Sequence, residues 1–272
     1  MTGQRTRKIV PAGEARIEVI AEGEGPLLVL LPSSSRDSED FDGIAASFAA
    51  AGLRVLRPQP RGMGASVGLM ERLTLHDFAA DVAAVIEAER GGPAVVLGHA
   101  FGQWVARTLA ADRPDLVRGV VLAAAAAKNA PPELRDHLAH CANTDLPDAT
   151  RLAALRLAFF APGHDPSAWL SGWHKAAGAA QRAASTATPQ AEWWTAGTAP
   201  VLDVQAEQDP WRPRATLTQM REDLGAARVT VVVIPDASHA LVPEQPAKLV
   251  EAVLSWMRGL SDQDQPDPRQ RP

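Results

Sequence analysis

Cysteine is nearly missing from this chain of 272 residues: Cys141 is the only one. A single thiol excludes an intramolecular disulfide framework and fits a reducing, cytoplasmic setting. Tyrosine is absent altogether, so no phenol is available for acid–base work or for holding an oxyanion. Positive charge is not in excess either: 27 Lys and Arg stand against 32 Asp and Glu, a formal net charge of −5. That balance argues against a nucleic-acid partner, which would need a basic patch. No run approaches the roughly 20 apolar residues of a membrane helix, and the stretch from Leu122 to Ala127 is far too short. Met1 to Val10 is polar and basic with no apolar stretch behind it, so no signal peptide is expected. Arg61 to Gly64 lacks the lysine and the spacing of a nucleotide-binding phosphate loop. His137, His140 and Cys141 have a spacing that suggests metal ligands, but no fourth ligand is apparent. Neither metal nor cofactor is expected. The expected partner is a small-molecule substrate, not nucleic acid or a membrane.

What is present is a globular composition, 46% hydrophobic and 22% charged, in a chain long enough for one α/β domain with an insertion. Two strand-like pieces, Lys8–Val10 and Arg16–Ala21, precede the turn at Gly23-Glu24-Gly25-Pro26. Leu27–Leu31 is a short continuous apolar run, as in a strand covered on both faces. Strand and helix then alternate. Helical spacing over Phe41–Ala51, Leu75–Glu89 and Trp104–Ala111 separates strands at Arg54–Leu56, Ala94–Leu97 and Val117–Leu122. On the second helix Phe78, Val82, Val85 and Ile86 form one stripe. Val201–Gln205 and Val229–Ile234 are the last strands, and Glu244–Met257 the last helix. This alternation implies an α/β fold, a mostly parallel sheet with helices on both faces. Residues 128–197 have no clear strand and read as an inserted helical cap on a core of residues 1–127 and 198–260. Residues 261–272, rich in Asp, Gln, Pro and Arg, read as a disordered tail.

One segment carries chemistry. Val95-Val96-Leu97-Gly98-His99-Ala100-Phe101-Gly102 runs from strand into helix through Gly-x-x-x-Gly. A Cβ two residues either side of the central position would strike the strand or the helix, so both places need glycine. This is the pattern of a nucleophile elbow, normally Gly-x-Ser-x-Gly, with Ala100 at its centre. Here the chain resembles the α/β-hydrolase family, and the resemblance covers nearly the whole domain. Pro200 to Pro210 resembles the strand and loop that deliver the catalytic acid, which assigns that place to Asp209. Asp236-Ala237-Ser238-His239, between the last strand and the last helix, assigns the histidine to His239. Pro60-Arg61-Gly62-Met63-Gly64-Ala65-Ser66 resembles the family's Arg-Gly-x-Gly-x-Ser loop. The order elbow, acid, histidine is the order of that fold, and the resemblance implies an eight-stranded sheet. His99 neighbours the elbow and reads as a packing residue.

The resemblance also implies an oxyanion hole built from the N–H of Phe101 and one from the loop after the third strand. That loop reads Pro32-Ser33-Ser34-Ser35-Arg36, which assigns the second N–H to Ser34. An alanine methyl cannot attack a carbonyl, and loss of the serine from such an enzyme costs roughly a millionfold in turnover. Three explanations stay open. The alanine is an artificial replacement in a serine hydrolase; or the natural protein is an enzyme without a serine nucleophile; or it only binds a ligand. In the second case Asp209–His239 is a competent general base. It would activate water against an ester, lactone or similar carbonyl, or abstract a proton in cofactor-free lyase chemistry. A pure binder has no need of the pair, so its presence favours chemistry.

The expected cap is rich in tryptophan. Trp169, Trp173, Trp193 and Trp194, with Trp104, Phe101 and Ser33 from the core, are expected to line an apolar pocket for a small, cyclic or aromatic substrate.

Overall fold

The computed structural model describes residues 5–263 of the chain. Eight strands form one sheet: β1 (Thr6–Ala12), β2 (Ala15–Glu22), β3 (Leu27–Leu31), β4 (Arg54–Pro58), β5 (Ala94–His99), β6 (Val117–Ala123), β7 (Val201–Ala206) and β8 (Val229–Ile234). Their spatial order is β1-β2-β4-β3-β5-β6-β7-β8. β1 pairs antiparallel with β2 and β2 antiparallel with β4, and every later pairing is parallel. Every residue of β3, β5 and β7 is buried, which is why β3 reads as an unbroken apolar run, while β7 also buries Asp203 and Gln205.

Ten α-helices accompany the sheet among the described residues. They are α1 (Asp42–Ala50), α2 (Leu75–Glu89), α3 (Gly102–Asp112), α4 (Leu134–Ala142), α5 (Asp148–Ala158), α6 (Lys175–Ala187), α7 (Gln190–Trp193), α8 (Gln219–Leu224), α9 (Leu241–Glu244) and α10 (Pro246–Gln263). Alternate strand residues feed two cores. Val29 and Val96 pack with Phe78 and Val82 of α2 and Leu109 of α3. Leu28 and Leu97 pack with Phe48 of α1 and Leu249 and Val253 of α10. The period of two along a strand thus divides the helices between the faces. α2 starts where the sequence permits a capping box: Asp77 Oδ2 accepts from the Thr74 N–H at 2.8 Å and from its hydroxyl at 2.7 Å.

Helices α4 to α7 all lie between β6 and β7. α4, α5 and the segment that follows α5 carry an apolar cluster of their own, including Leu134, Leu155, Phe159 and Trp169, which reaches the core through Ala240. The last helical segment differs from expectation at both ends. Glu244 closes the short α9, and Pro246 opens a new helix, because proline fits a first helical turn but cannot continue an earlier one. α10 then runs to Gln263, so the expected tail begins inside a helix, and residues 264–272 lie outside the described residues. No helix of the described residues is long and apolar enough to cross a membrane.

Candidate active site

The turn between β5 and α3 is shaped by contacts that only glycine permits. A Cβ on Gly98 would lie 2.2 Å from the Gln103 backbone nitrogen, and one on Gly102 would lie 2.2 Å from the Leu31 carbonyl oxygen. Between them Ala100 adopts φ +48°, a left-handed conformation that costs a non-glycine residue roughly 1–2 kcal/mol. Its N–H is held by the Ala123 carbonyl at 3.1 Å. The close approach of Gly102 to Leu31 and Pro32 also brings the serine-rich loop after β3 beside the turn.

From the far end of the sheet come Asp209, after β7, and His239, after β8. Asp209 Oδ2 lies 2.9 Å from His239 Nδ1, and its Oδ1 accepts the Trp211 N–H at 2.8 Å. Both residues are buried. The imidazole is enclosed by aromatic rings: Trp211 lies 5.2 Å away between centroids, Phe159 5.5 Å and His99 5.9 Å. Such walls fix the ring plane and keep bulk water from the Asp209 contact.

A cavity of about 840 Å³ connects these parts. His239, Ala100, Phe101, Ser33 and Ser34 all line it. The N–H groups of Ser34 and Phe101 donate to no acceptor among the described residues. Trp104, Trp193 and Trp194 form part of the wall, with Trp104 and Trp193 5.5 Å apart. Phe101 meets Trp104 edge to face at 5.7 Å.

Trp169 and Trp173, expected in the same pocket, do not line it. Trp169 is buried against Phe159 and Phe160, with the Arg36 guanidinium 4.6 Å above its ring. Trp173 meets Trp169 edge to face at 6.1 Å, and its ring lies 5.0 Å from the same guanidinium. Arg36 is held by Asp40, at 2.7 and 2.5 Å, and by the Ser171 carbonyl. A cation already paired in the core draws both rings to itself, a preference that tryptophan count does not reveal.

Several residues that sequence reasoning passed over support the site. His99 Nε2–H donates to the His239 carbonyl at 2.7 Å. Burial, with His239 nearby, pushes the His99 imidazole down to about 3, so the ring is neutral. Glu244 accepts the N–H groups of Ser238 and Ala161, each at 2.6 Å, and burial raises its pKa. It therefore joins the histidine loop to the segment after α5. The Gln181 carbonyl oxygen accepts the Ser35 N–H at 2.8 Å and so fixes the serine loop to α6. Gln103 lines the cavity with neither amide atom partnered among the described residues. Cys141 is buried in α4, and burial pushes its thiol up to about 12, too high for a reactive thiolate.

A mostly parallel sheet, a glycine-bounded turn after the fifth strand and a buried His–Asp pair from the last two strands define the α/β-hydrolase class of fold. Residues 28–252 match the sequence profile of the Alpha/beta hydrolase family, and the chain belongs to that family. Over 113 residues it is 34% identical to the pyrrolizixenacetamide deacetylase of Xenorhabdus hominickii, a stretch covering 42% of each protein. Over 112 residues it is 30% identical to the 2-(acetamidomethylene)succinate hydrolase of Mesorhizobium japonicum, covering 41% of this chain and 40% of that one. The chain thus matches well under half the length of these curated relatives. The crystal structure of an E-2-(acetamidomethylene)succinate hydrolase aligns with a TM-score of 0.72 at 23% identity, over 94% of this chain and 100% of that one. At that identity the likeness is one of fold.

Proposed function

We propose that this protein hydrolyses a small, largely apolar carbonyl compound, an ester, lactone or amide, without a serine nucleophile. The observation that carries the reading is the 2.9 Å contact between His239 Nδ1 and Asp209 Oδ2 on a ring that faces the same cavity as Ala100. Asp209 holds the Nδ1–H tautomer, which leaves Nε2 as a base. A water against the Ala100 methyl then attacks the carbonyl while Nε2 takes its proton. The N–H groups of Phe101 and Ser34 stabilise the developing oxyanion. Collapse expels the alcohol or amine, which receives the proton from the imidazolium, and the carboxylic acid is the second product. Ala100 is the floor of this site, and no acyl-enzyme forms on it. The names of the two curated relatives, a deacetylase and a hydrolase of an acetamide compound, support hydrolysis and add amides to the candidate substrates. Residues 128–197 would serve as the cap that roofs the site.

Turnover on a panel of esters, lactones and acetamides tests this. His239→Ala is expected to lower kcat by roughly 10²–10⁴-fold, and Asp209→Asn by up to about 10⁴-fold through the wrong tautomer. If His239→Ala leaves turnover unchanged while Ala100→Ser creates esterase activity, the dyad has no role and a serine hydrolase has simply lost its nucleophile.

A further inference from the structure

The cavity wall has a charge bias that the chain as a whole does not. The chain carries more acid than base, yet no aspartate or glutamate lines the cavity, whereas Lys128, Arg135 and Arg182 do. These three cations are not equivalent. Lys128 Nζ lies 3.4 Å from Asp223 and 5.2 Å from the Trp194 ring, so its charge is partly met within the protein. Arg135 and Arg182 have no carboxylate partner among the described residues.

Arg135 belongs to α4 and Arg182 to α6, and both are solvent-exposed while lining the cavity, which places them at its mouth. Deeper in the same wall are the apolar rings of Trp104, Trp193, Trp194 and Phe101. An aromatic panel with two uncommitted guanidinium groups at its rim matches an amphipathic anion. Guanidinium binds a carboxylate through two parallel hydrogen bonds. A cleft with charge of one sign also concentrates the opposite sign at its entrance.

We infer that the ligand of this cavity is a small cyclic or aromatic carboxylate, its ring on the tryptophan panel and its carboxylate at Arg135 and Arg182. In the hydrolytic reading, on which this inference rests only for the identity of the cavity as the reacting site, that carboxylate is separate from the carbonyl under attack. It acts as a recognition handle.

Isothermal titration with cinnamate and its neutral counterpart cinnamyl alcohol tests the inference, because neither ligand is hydrolysed. Cinnamate should bind roughly tenfold tighter than the alcohol at low ionic strength, with the margin shrinking as salt is added. In Arg135→Ala/Arg182→Ala the margin should vanish while the alcohol binds as before. Equal binding of the two ligands by the unaltered protein, or a preference for cinnamate that survives both substitutions, overturns the inference. The His239→Ala protein separates the two claims. If it keeps the preference for cinnamate and no ester or amide is turned over by the unaltered protein, the hydrolytic reading fails and the anion site stands.

Discussion

His99 and His239, far apart in the chain, are joined where the elbow meets the last loop: His99 Nε2–H donates to the His239 main-chain carbonyl at 2.7 Å. The ring that precedes Ala100 therefore fixes the backbone of the ring expected to act above it. Burial keeps His99 neutral, so it is a donor through the whole working pH range. His99→Phe retains an aromatic body but leaves a buried carbonyl without its partner. The expected loss is about 1–3 kcal/mol of stability in denaturant unfolding. Turnover should fall about tenfold or more with little change in KM, because a displaced base spoils the reacting geometry rather than ligand binding.

Ala100→Ser should create a reactive serine without rebuilding the turn. The residue already has φ +48° and an anchored N–H, and the added hydroxyl faces the cavity that His239 also lines. Stability should stay within about 1 kcal/mol of the unaltered protein. A fluorophosphonate probe should label the variant at residue 100 and leave the unaltered protein free of adduct, read by peptide mass spectrometry. An unlabelled Ala100→Ser protein that is fully folded would mean that His239 does not reach the position.

Much of this architecture was legible in the chain, and the reasons are physical. Strands β3 and β5 are buried on both faces, so the apolar runs Leu27–Leu31 and Ala94–Leu97 are unmistakable. Gly98 and Gly102 are dictated by backbone contacts that any side chain would violate, so their spacing marks the turn. The pairing of Asp209 with His239 was an expectation of the resemblance, and the two are in contact. Less legible were relations set by tertiary packing. Nothing in sequence spacing separates Trp193, on the cavity wall, from Trp169, drawn instead to Arg36. Nor does it reveal that Glu244 reaches back to Ser238 and across to Ala161, since a lone glutamate between Pro243 and the Gln245-Pro246 pair has the look of a helix-end residue.

A surface histidine gives stability a pH dependence of defined sign. His76, on α2, contacts Asp112 through Nδ1 at 2.7 Å and Glu192 through Nε2 at 2.8 Å. Both contacts are made as donors only by the imidazolium, and Asp112 first, then Glu192, raise the His76 pKa above 6.5. The proton is thus bound more tightly in the folded chain. The stabilisation is fully present below the unfolded pKa of 6.5 and is lost as pH rises through the higher folded value. Because the site is partly exposed, the effect should stay below about 1 kcal/mol. Unfolding of His76→Gln against the unaltered protein should show a deficit at pH near 6 that shrinks toward pH near 9. A deficit that grows with pH would contradict the assignment.

Arg36 is the test of what holds the serine loop. It is buried, bound through two nitrogens to Asp40, and its guanidinium lies 4.6 Å from the Trp169 ring and 5.0 Å from the Trp173 ring. Burial raises the Asp40 pKa even against this cation, so Asp40 is costly to leave alone. Arg36→Ala strips the partner and empties the space against the two rings, and a loss of about 3–5 kcal/mol is expected. The loop carrying Ser33 and Ser34 adjoins Arg36 in sequence, so carbonyl turnover should fall as well. Two effects are mixed in that single change, charge and packing. Arg36→Met keeps an apolar stem against the tryptophans, and combining it with Asp40→Leu removes the stranded carboxylate. If the unpaired charge dominates, Arg36→Met/Asp40→Leu regains most of the stability lost by Arg36→Met alone, and a double-mutant cycle gives a coupling of about 1–3 kcal/mol. If packing against the rings dominates, Arg36→Met is nearly neutral by itself and the cycle shows little coupling.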